Sequence, residues 1–165
     1  MPPPSPELRE AARRGTLLHA LFERLPGVAP EQRRTAALRW LEVSAGVGEP
    51  SLREELADAA LRVIEHSDFA ELFTPGALAE APIAATLPDG RVVAGTVDRL
   101  LVEAERVRVV DFKTGRAVPS DAGNVPEPHG RQMEAYAQAL AVIFPGRHIE
   151  TALLYTAGPQ LIALS

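Results

Sequence analysis

Apolar residues return at three- and four-residue spacing from Glu7 to Leu25: Leu8, Ala11, Ala12, Leu17, Leu18, Leu21, Phe22 and Leu25. That period predicts an amphipathic helix, with Gly15 as a candidate break and Pro26-Gly27 as its stop. Pro30 suits the start of a second helix running through Val43, with Ala36, Ala37, Leu38, Trp40 and Leu41 apolar. A third helix is predicted from Pro50 to His66, where Leu52, Leu56, Ala59, Ala60, Val63 and Ile64 share a face. Asp68 to Phe73 reads as a short turn of helix before Pro75-Gly76. The prolines of Met1 to Pro6 read as a linker or chain end.

The pattern then changes to short apolar runs. Ala81 to Leu87 predicts a strand, closed by the turn signal Pro88-Asp89-Gly90. Val92 to Val102 and Val107 to Phe112 predict two more, so the three form an antiparallel meander. Residues 115 to 128 read as a loop rich in Pro, Gly and Asp. Arg131 to Ile143 predicts a helix stopped by Pro145-Gly146, and Ile149 to Thr156 and Leu161 to Leu164 predict two final strands. The reading is therefore of one domain over 7–165, helical over 7–79 and mixed α/β over 80–165.

Composition narrows the chemistry. At 165 residues and 46% hydrophobic content, the chain can bury one core. The absence of cysteine removes disulfides, thiolate nucleophiles and any iron–sulfur cluster. No apolar run approaches membrane length, and the proline-rich, acidic start lacks a signal-peptide core; a cytoplasmic protein with no membrane partner is expected. A net charge of −5 opposes a protein that coats duplex DNA by itself, though not one whose bound cations supply positive charge locally. Sixteen arginines accompany a single lysine, Lys113. In a chain so biased toward arginine, the lysine that remains draws attention.

Lys113 ends the apolar strand Val107-Arg108-Val109-Val110, two residues after Asp111. Residues two apart on a strand project to the same side, so carboxylate and ammonium point together. Asp98, in Gly95-Thr96-Val97-Asp98, lies on the preceding strand, where a hairpin brings it beside Asp111. Two neighbouring carboxylates are costly unless a proton or a cation neutralises them, and a hard divalent cation suits such oxygen donors. Such a cation polarises a phosphodiester oxygen and lowers the pKa of a water. Beside it Lys113, a compact point charge, positions the attacking water and stabilises the developing negative charge. The opposing reading is a solvated Asp-x-Lys surface pair worth under about 1 kcal/mol.

Three further positions carry two readings each. His19, among apolar neighbours on the first helix, is either a packed histidine or an inward-facing metal ligand. Gln132 and Tyr136 are four apart and share a helix face; they are a half-buried tyrosine with a polar neighbour, or a pair touching the DNA backbone or the attacking water. Glu80, opening Glu-Ala-Pro, is an edge charge or a supporting carboxylate.

The succession Gly-x-x-x-His, Gly-x-x-Asp, Asp-x-Lys and Gln-x-x-x-Tyr resembles the RecB-like branch of the PD-(D/E)XK nuclease superfamily. Within it, RRGTLLHALFERLP, AGTVDRLL, VVDFKTGRAVP and RQMEAYAQALAVIFPGR are similar to the C-terminal nuclease domain of the AddA subunit of bacterial AddAB helicase–nucleases, over roughly residues 7 to 165. The resemblance implies a restriction-endonuclease-like core, a central mixed sheet flanked by helices. It implies that His19, Asp98, Asp111 and the carbonyl of Phe112 bind Mg²⁺ or Mn²⁺, that Lys113 is the catalytic lysine, and that Gln132 and Tyr136 are accessory. Val97 stands where the superfamily's name has proline, and the second acidic residue is Asp111, both ordinary in this branch.

The resemblance further implies a metal-dependent DNA nuclease, an exonuclease fed single strands or unwound ends by a helicase during double-strand break repair and recombination. Its partners would be DNA, the helicase portion of the same polypeptide and an AddB-like subunit. No Gly-x-x-x-x-Gly-Lys phosphate loop is present, so the motor would lie outside this chain and the prolines would mark the connection to it. The rival expectation is a catalytically silent module of the same fold that binds DNA or a partner.

Overall fold

The structure, a computed structural model, describes all residues from Met1 to Ser165. It divides into a helical unit (residues 1–74 with 114–116) and a sheet unit (75–113 with 117–165).

In the helical unit, α1 spans Pro6–Arg24, one residue earlier than the hydrophobic period implies. The Ser5 hydroxyl accepts the Leu8 N–H at 3.3 Å, and Pro6 occupies the first turn, where no amide is missed. Gly15 does not break the helix. A Cβ there would stand 2.8 Å from Thr114 Oγ1, so glycine is needed for close approach of the 114–116 segment. Arg14 adds to the same junction, its guanidinium donating to the Thr114 carbonyl at 3.4 Å and pairing with Glu55.

The second predicted helix is continuous but changes pitch. A 3₁₀ turn at Pro30–Gln32 leads into α2 (Arg33–Arg39), which widens into a π turn at Trp40–Ser44. The Arg33 guanidinium donates to the carbonyls of Leu25, Pro26 and Val28, satisfying acceptors left over where α1 ends. Gly46, at φ 68°, takes the left-handed conformation that lets the chain turn away. The third helix, α3 (Pro50–Ile64), buries Leu56, Ala57, Ala60 and Val63 and packs on α1 and α2. A 3₁₀ segment, Ser67–Phe73, closes the unit, with Phe73 tilted against Phe22 at 6.4 Å. No helix is long and apolar enough to cross a membrane.

The sheet unit holds five strands in the order β1-β2-β3-β4-β5: Leu78–Thr86, Val92–Val102, Arg106–Lys113, His148–Tyr155 and Gln160–Ala163. The first three form the predicted antiparallel meander, β3 and β4 are parallel, and β5 returns antiparallel to β4. Between β3 and β4 the chain crosses over as α4 (Glu127–Ile143). Parallel neighbours require such a crossover.

Two boundaries differ from expectation by three residues or more. The first strand begins at Leu78 rather than Ala81, and α4 at Glu127 rather than Arg131. Pro126 and Pro128 look like loop residues, yet a helix's first turn tolerates them because its amides have no intrahelical partner. Met133, Tyr136, Ala139 and Leu140 of α4 pack onto Ala81, Ile83, Val97, Val107, Val109, Leu153 and Tyr155 to form the core of this unit. Central strand β3 is buried on both faces, since Val110 and Phe112 are as covered as Val107 and Val109. Apart from the half-exposed Arg108, the strand carries its charged residues near its ends, with Asp111 and Lys113 at the C-terminal one.

Candidate active site

That end carries Asp111. Val107 and Val109 face α4, and strand alternation puts Asp111 and Lys113 on the same side. Asp111 is only 6% exposed. The β2–β3 ladder stops at Arg99↔Val110, and the next register pair is Asp98 with Asp111. There the backbone ladder gives way to a reciprocal exchange. Asp98 N–H donates to Asp111 Oδ1 at 3.1 Å, and Phe112 N–H donates to Asp98 Oδ2 at 2.8 Å. Each carboxylate thus takes a backbone donor from the opposite strand, which fixes the positions of both.

Glu80 lies across the other edge of β2. The partners Ala79↔Arg99 and Ala81↔Val97 place it opposite Asp98, and their carboxylate oxygens lie within 4.8 Å of each other. Like charges directly opposed across strands are destabilising. Glu80 also adopts φ 49°, the only non-glycine residue with positive φ. Such a conformation costs on the order of 1–3 kcal/mol and persists only where the surrounding structure imposes it.

Lys113 Nζ stands 3.9 Å from Asp111 Oδ2 and donates to Gln132 Oε1 at 3.1 Å. Gln132 Nε2 in turn donates to the Tyr136 hydroxyl at 3.3 Å. Helix spacing makes this possible, because residues 132 and 136 stack on one face of α4. Burial raises the pKa of the Tyr136 phenol, and the charges of Asp111 and Asp98 add to the rise against the opposing hydrogen bond from Gln132. Tyr136 is therefore a neutral phenol at the rear of the site.

The sheet unit thus brings Glu80, Asp98, Asp111, Lys113, Gln132 and Tyr136 into one cluster. Phe112, the residue between Asp111 and Lys113, is bound through its amide to Asp98 and buries its ring. His19 lies on α1 of the helical unit, half-buried, edge-on to Phe22 at 6.4 Å. Two features of the cluster escape a reading of the sequence: the backbone conformation of Glu80, and a second contact on the far flank of Lys113, where His129 meets Tyr155. Spacing could have signalled the latter. His129, Gln132 and Tyr136 follow an i, i+3, i+7 pattern on one helix face.

The donor chemistry fits a hard divalent cation. The cluster offers carboxylate oxygens from exposed Glu80, half-buried Asp98 and buried Asp111, those of Glu80 and Asp98 within 4.8 Å of each other.

The sequence profile of the PD-(D/E)XK nuclease superfamily matches residues 1–160. The chain belongs to that superfamily. Its fold is accordingly the expected one, a mixed α/β domain with a five-stranded mixed sheet. Members of the superfamily are generally metal-dependent nucleases. No curated protein matches the chain. Among solved structures it is similar to the crystal structure of SSO0001, with 15% identity and a TM-score of 0.41 over 92% of this chain and 76% of that one.

Proposed function

We propose that this superfamily domain is a divalent-metal-dependent deoxyribonuclease whose site is built on Asp98, Asp111 and Lys113. The observation that carries the reading is the reciprocal hydrogen-bond exchange between Asp98 and Asp111, with Lys113 held beside it by Gln132. Surface Asp-x-Lys pairs have no such support.

Asp98, Asp111 and the carbonyl of Phe112 would hold Mg²⁺ or Mn²⁺, with Glu80 as an additional carboxylate; the Gly-x-x-x-His motif adds His19 to the ligands. Bound there, the cation supplies Lewis-acid polarisation of a phosphodiester oxygen and a lowered pKa for an attacking water. The protein's own groups do the rest. The Lys113 ammonium positions the attacking oxygen and offsets charge that develops on the phosphate. Gln132 accepts one of the three Nζ protons and so orients the other two. Tyr136, a donor and acceptor behind Gln132, fixes the amide in that orientation.

The motif order supports a narrower role, that of an AddA-type exonuclease acting on strands delivered by a helicase motor in double-strand break repair. In that role the partners are the helicase portion of the polypeptide and an AddB-like subunit. The net charge of −5 agrees with a domain that receives DNA from a motor rather than capturing duplex itself.

The test is incubation with linear single-stranded DNA and Mg²⁺ or Mn²⁺. Metal-dependent degradation is expected, and both Asp111→Ala and Lys113→Ala should abolish it. Cleavage that survives Asp111→Ala would sink the site assignment. DNA binding without cleavage in either metal would favour a catalytically silent module.

A further inference from the structure

Tyr155 is the register partner of Lys113 across the parallel β3–β4 ladder, and it points into the same α4-side core. Its ring is 2% exposed. Its hydroxyl meets one group, His129 Nδ1, at 3.0 Å. A buried phenol donates its O–H where an acceptor is offered. Taking the phenol as donor and Nδ1 as acceptor assigns His129 the tautomer protonated at Nε2. His129 itself, in the first turn of α4, is half-buried, with Nδ1 turned inward to Tyr155. Its Nε2–H has no partner within the protein. The register of Lys113 with Tyr155 puts the His129 ring on the β4 side of Lys113, away from β1 and near enough for the lysine charge to act on it.

An unpartnered N–H beside a catalytic ammonium is an arrangement for binding an anion. We propose that His129 is a substrate-binding residue, donating its Nε2–H to a phosphodiester oxygen of the DNA strand next to Lys113, with Tyr155 as the positioning residue that selects its tautomer. The proposal rests on the nuclease reading for the nature of the anion. Burial, together with the positive charge of Lys113, lowers the His129 pKa, so the ring is neutral near neutral pH. A neutral donor suits this place, because a second cation would repel Lys113 while a hydrogen bond to an anion keeps most of the gain. Tyr155 is likewise held as a phenol by burial, which raises its pKa. The motif that contains Gln132 and Tyr136 thus continues one turn toward the helix start, as a third polar residue on the same face.

The experiment measures affinity for a fluorescent single-stranded oligonucleotide in an Asp111→Asn background, where cleavage cannot intervene, and KM and kcat in the otherwise wild-type chain. His129→Ala should weaken binding and raise KM about tenfold, as expected for loss of a hydrogen bond to a charged group, with kcat changed far less. His129→Gln, whose amide places a donor where Nε2–H was, should retain affinity within about threefold, whereas His129→Asn should not. Long-range ¹H–¹⁵N NMR of the wild type should show His129 as the Nε2–H tautomer, and Tyr155→Phe should mix the two tautomers. Unchanged affinity in His129→Ala, or an Nδ1–H tautomer in the wild type, would overturn the proposal. Equal loss in His129→Gln and His129→Ala would overturn it too, by showing a packing role. Failure of the nuclease reading registers separately, as absence of cleavage by the wild type whatever the binding data show.

Discussion

Tyr136 fills the space that a side chain at position 95 would need. A Cβ on Gly95 would fall 3.1 Å from the phenolic oxygen and 3.2 Å from Cε1. The glycine of Gly-x-x-Asp and the tyrosine of Gln-x-x-x-Tyr are therefore two sides of one contact, although 41 positions part them in the chain, 136 less 95. Gly95→Ala should push Tyr136 back by a few tenths of an ångström and with it Gln132 and Lys113. We expect cleavage slowed about tenfold at a stability cost of about 1 kcal/mol, in line with modest overpacking. Single-turnover kinetics and denaturant melts check this, and full activity in Gly95→Ala would refute the linkage.

Asp98 has a structural and a chemical task that substitution can separate. Asp98→Ala removes the acceptor of the Phe112 amide and should destabilise the domain by about 1–3 kcal/mol, the cost of an unsatisfied buried donor. Asp98→Asn keeps a carbonyl oxygen for that amide but removes the negative charge. It should fold within about 1 kcal/mol of the wild type and yet lose metal-dependent cleavage. Equal destabilisation by both variants in urea titrations would show that charge, rather than hydrogen bonding, ties β2 to β3.

Lys113→Arg conserves charge only. The guanidinium is longer and planar, and cannot present its donors to Gln132 Oε1 and toward Asp111 from the position of Nζ. A fall in kcat of about a hundredfold or more is expected, the scale of losing one preorganised donor at a developing anion. Near-normal turnover in Lys113→Arg would reduce the lysine to a generic counter-charge.

Stability should depend on pH through His129. Its folded pKa lies below the ordinary value of 6.5, chiefly from burial and then from Lys113. The unfolded chain therefore binds the proton more readily than the folded one. The stability that comes from the neutral ring is fully present above pH 6.5 and is lost as pH falls through that value toward the depressed one. Denaturant melts at about pH 7.5 and about pH 5.5 should show a smaller drop for His129→Gln than for the wild type. Identical drops in the two proteins would contradict the assignment.

How far the sequence disclosed this arrangement follows from the range of each interaction. Hydrophobic period sufficed for the meander and for α1 and α3, because burial of one face decides those elements locally. Asp111 and Lys113 were readable because two-residue spacing on a strand fixes a common side. The start of α4 was not, since Pro126 and Pro128 carry the same local signal in a loop as in a first turn. Nor was the His129–Tyr155 contact, which depends on the β3–β4 register and joins residues 26 positions apart. The left-handed backbone at Glu80 had no signal at all, because glutamate rarely adopts it.

In the proposed metal site, that last feature sets activity against robustness. Glu80→Gly would relieve the backbone and remove one of two opposed carboxylates, so a sequence selected for thermal endurance alone would abandon the glutamate. Without cation the domain should melt higher as the glycine variant, and adding Mg²⁺ should raise the melting temperature of the wild type more than that of the variant. In the proposed metal site, the backbone of Glu80 would trade stability of the cation-free domain for a carboxylate held opposite Asp98.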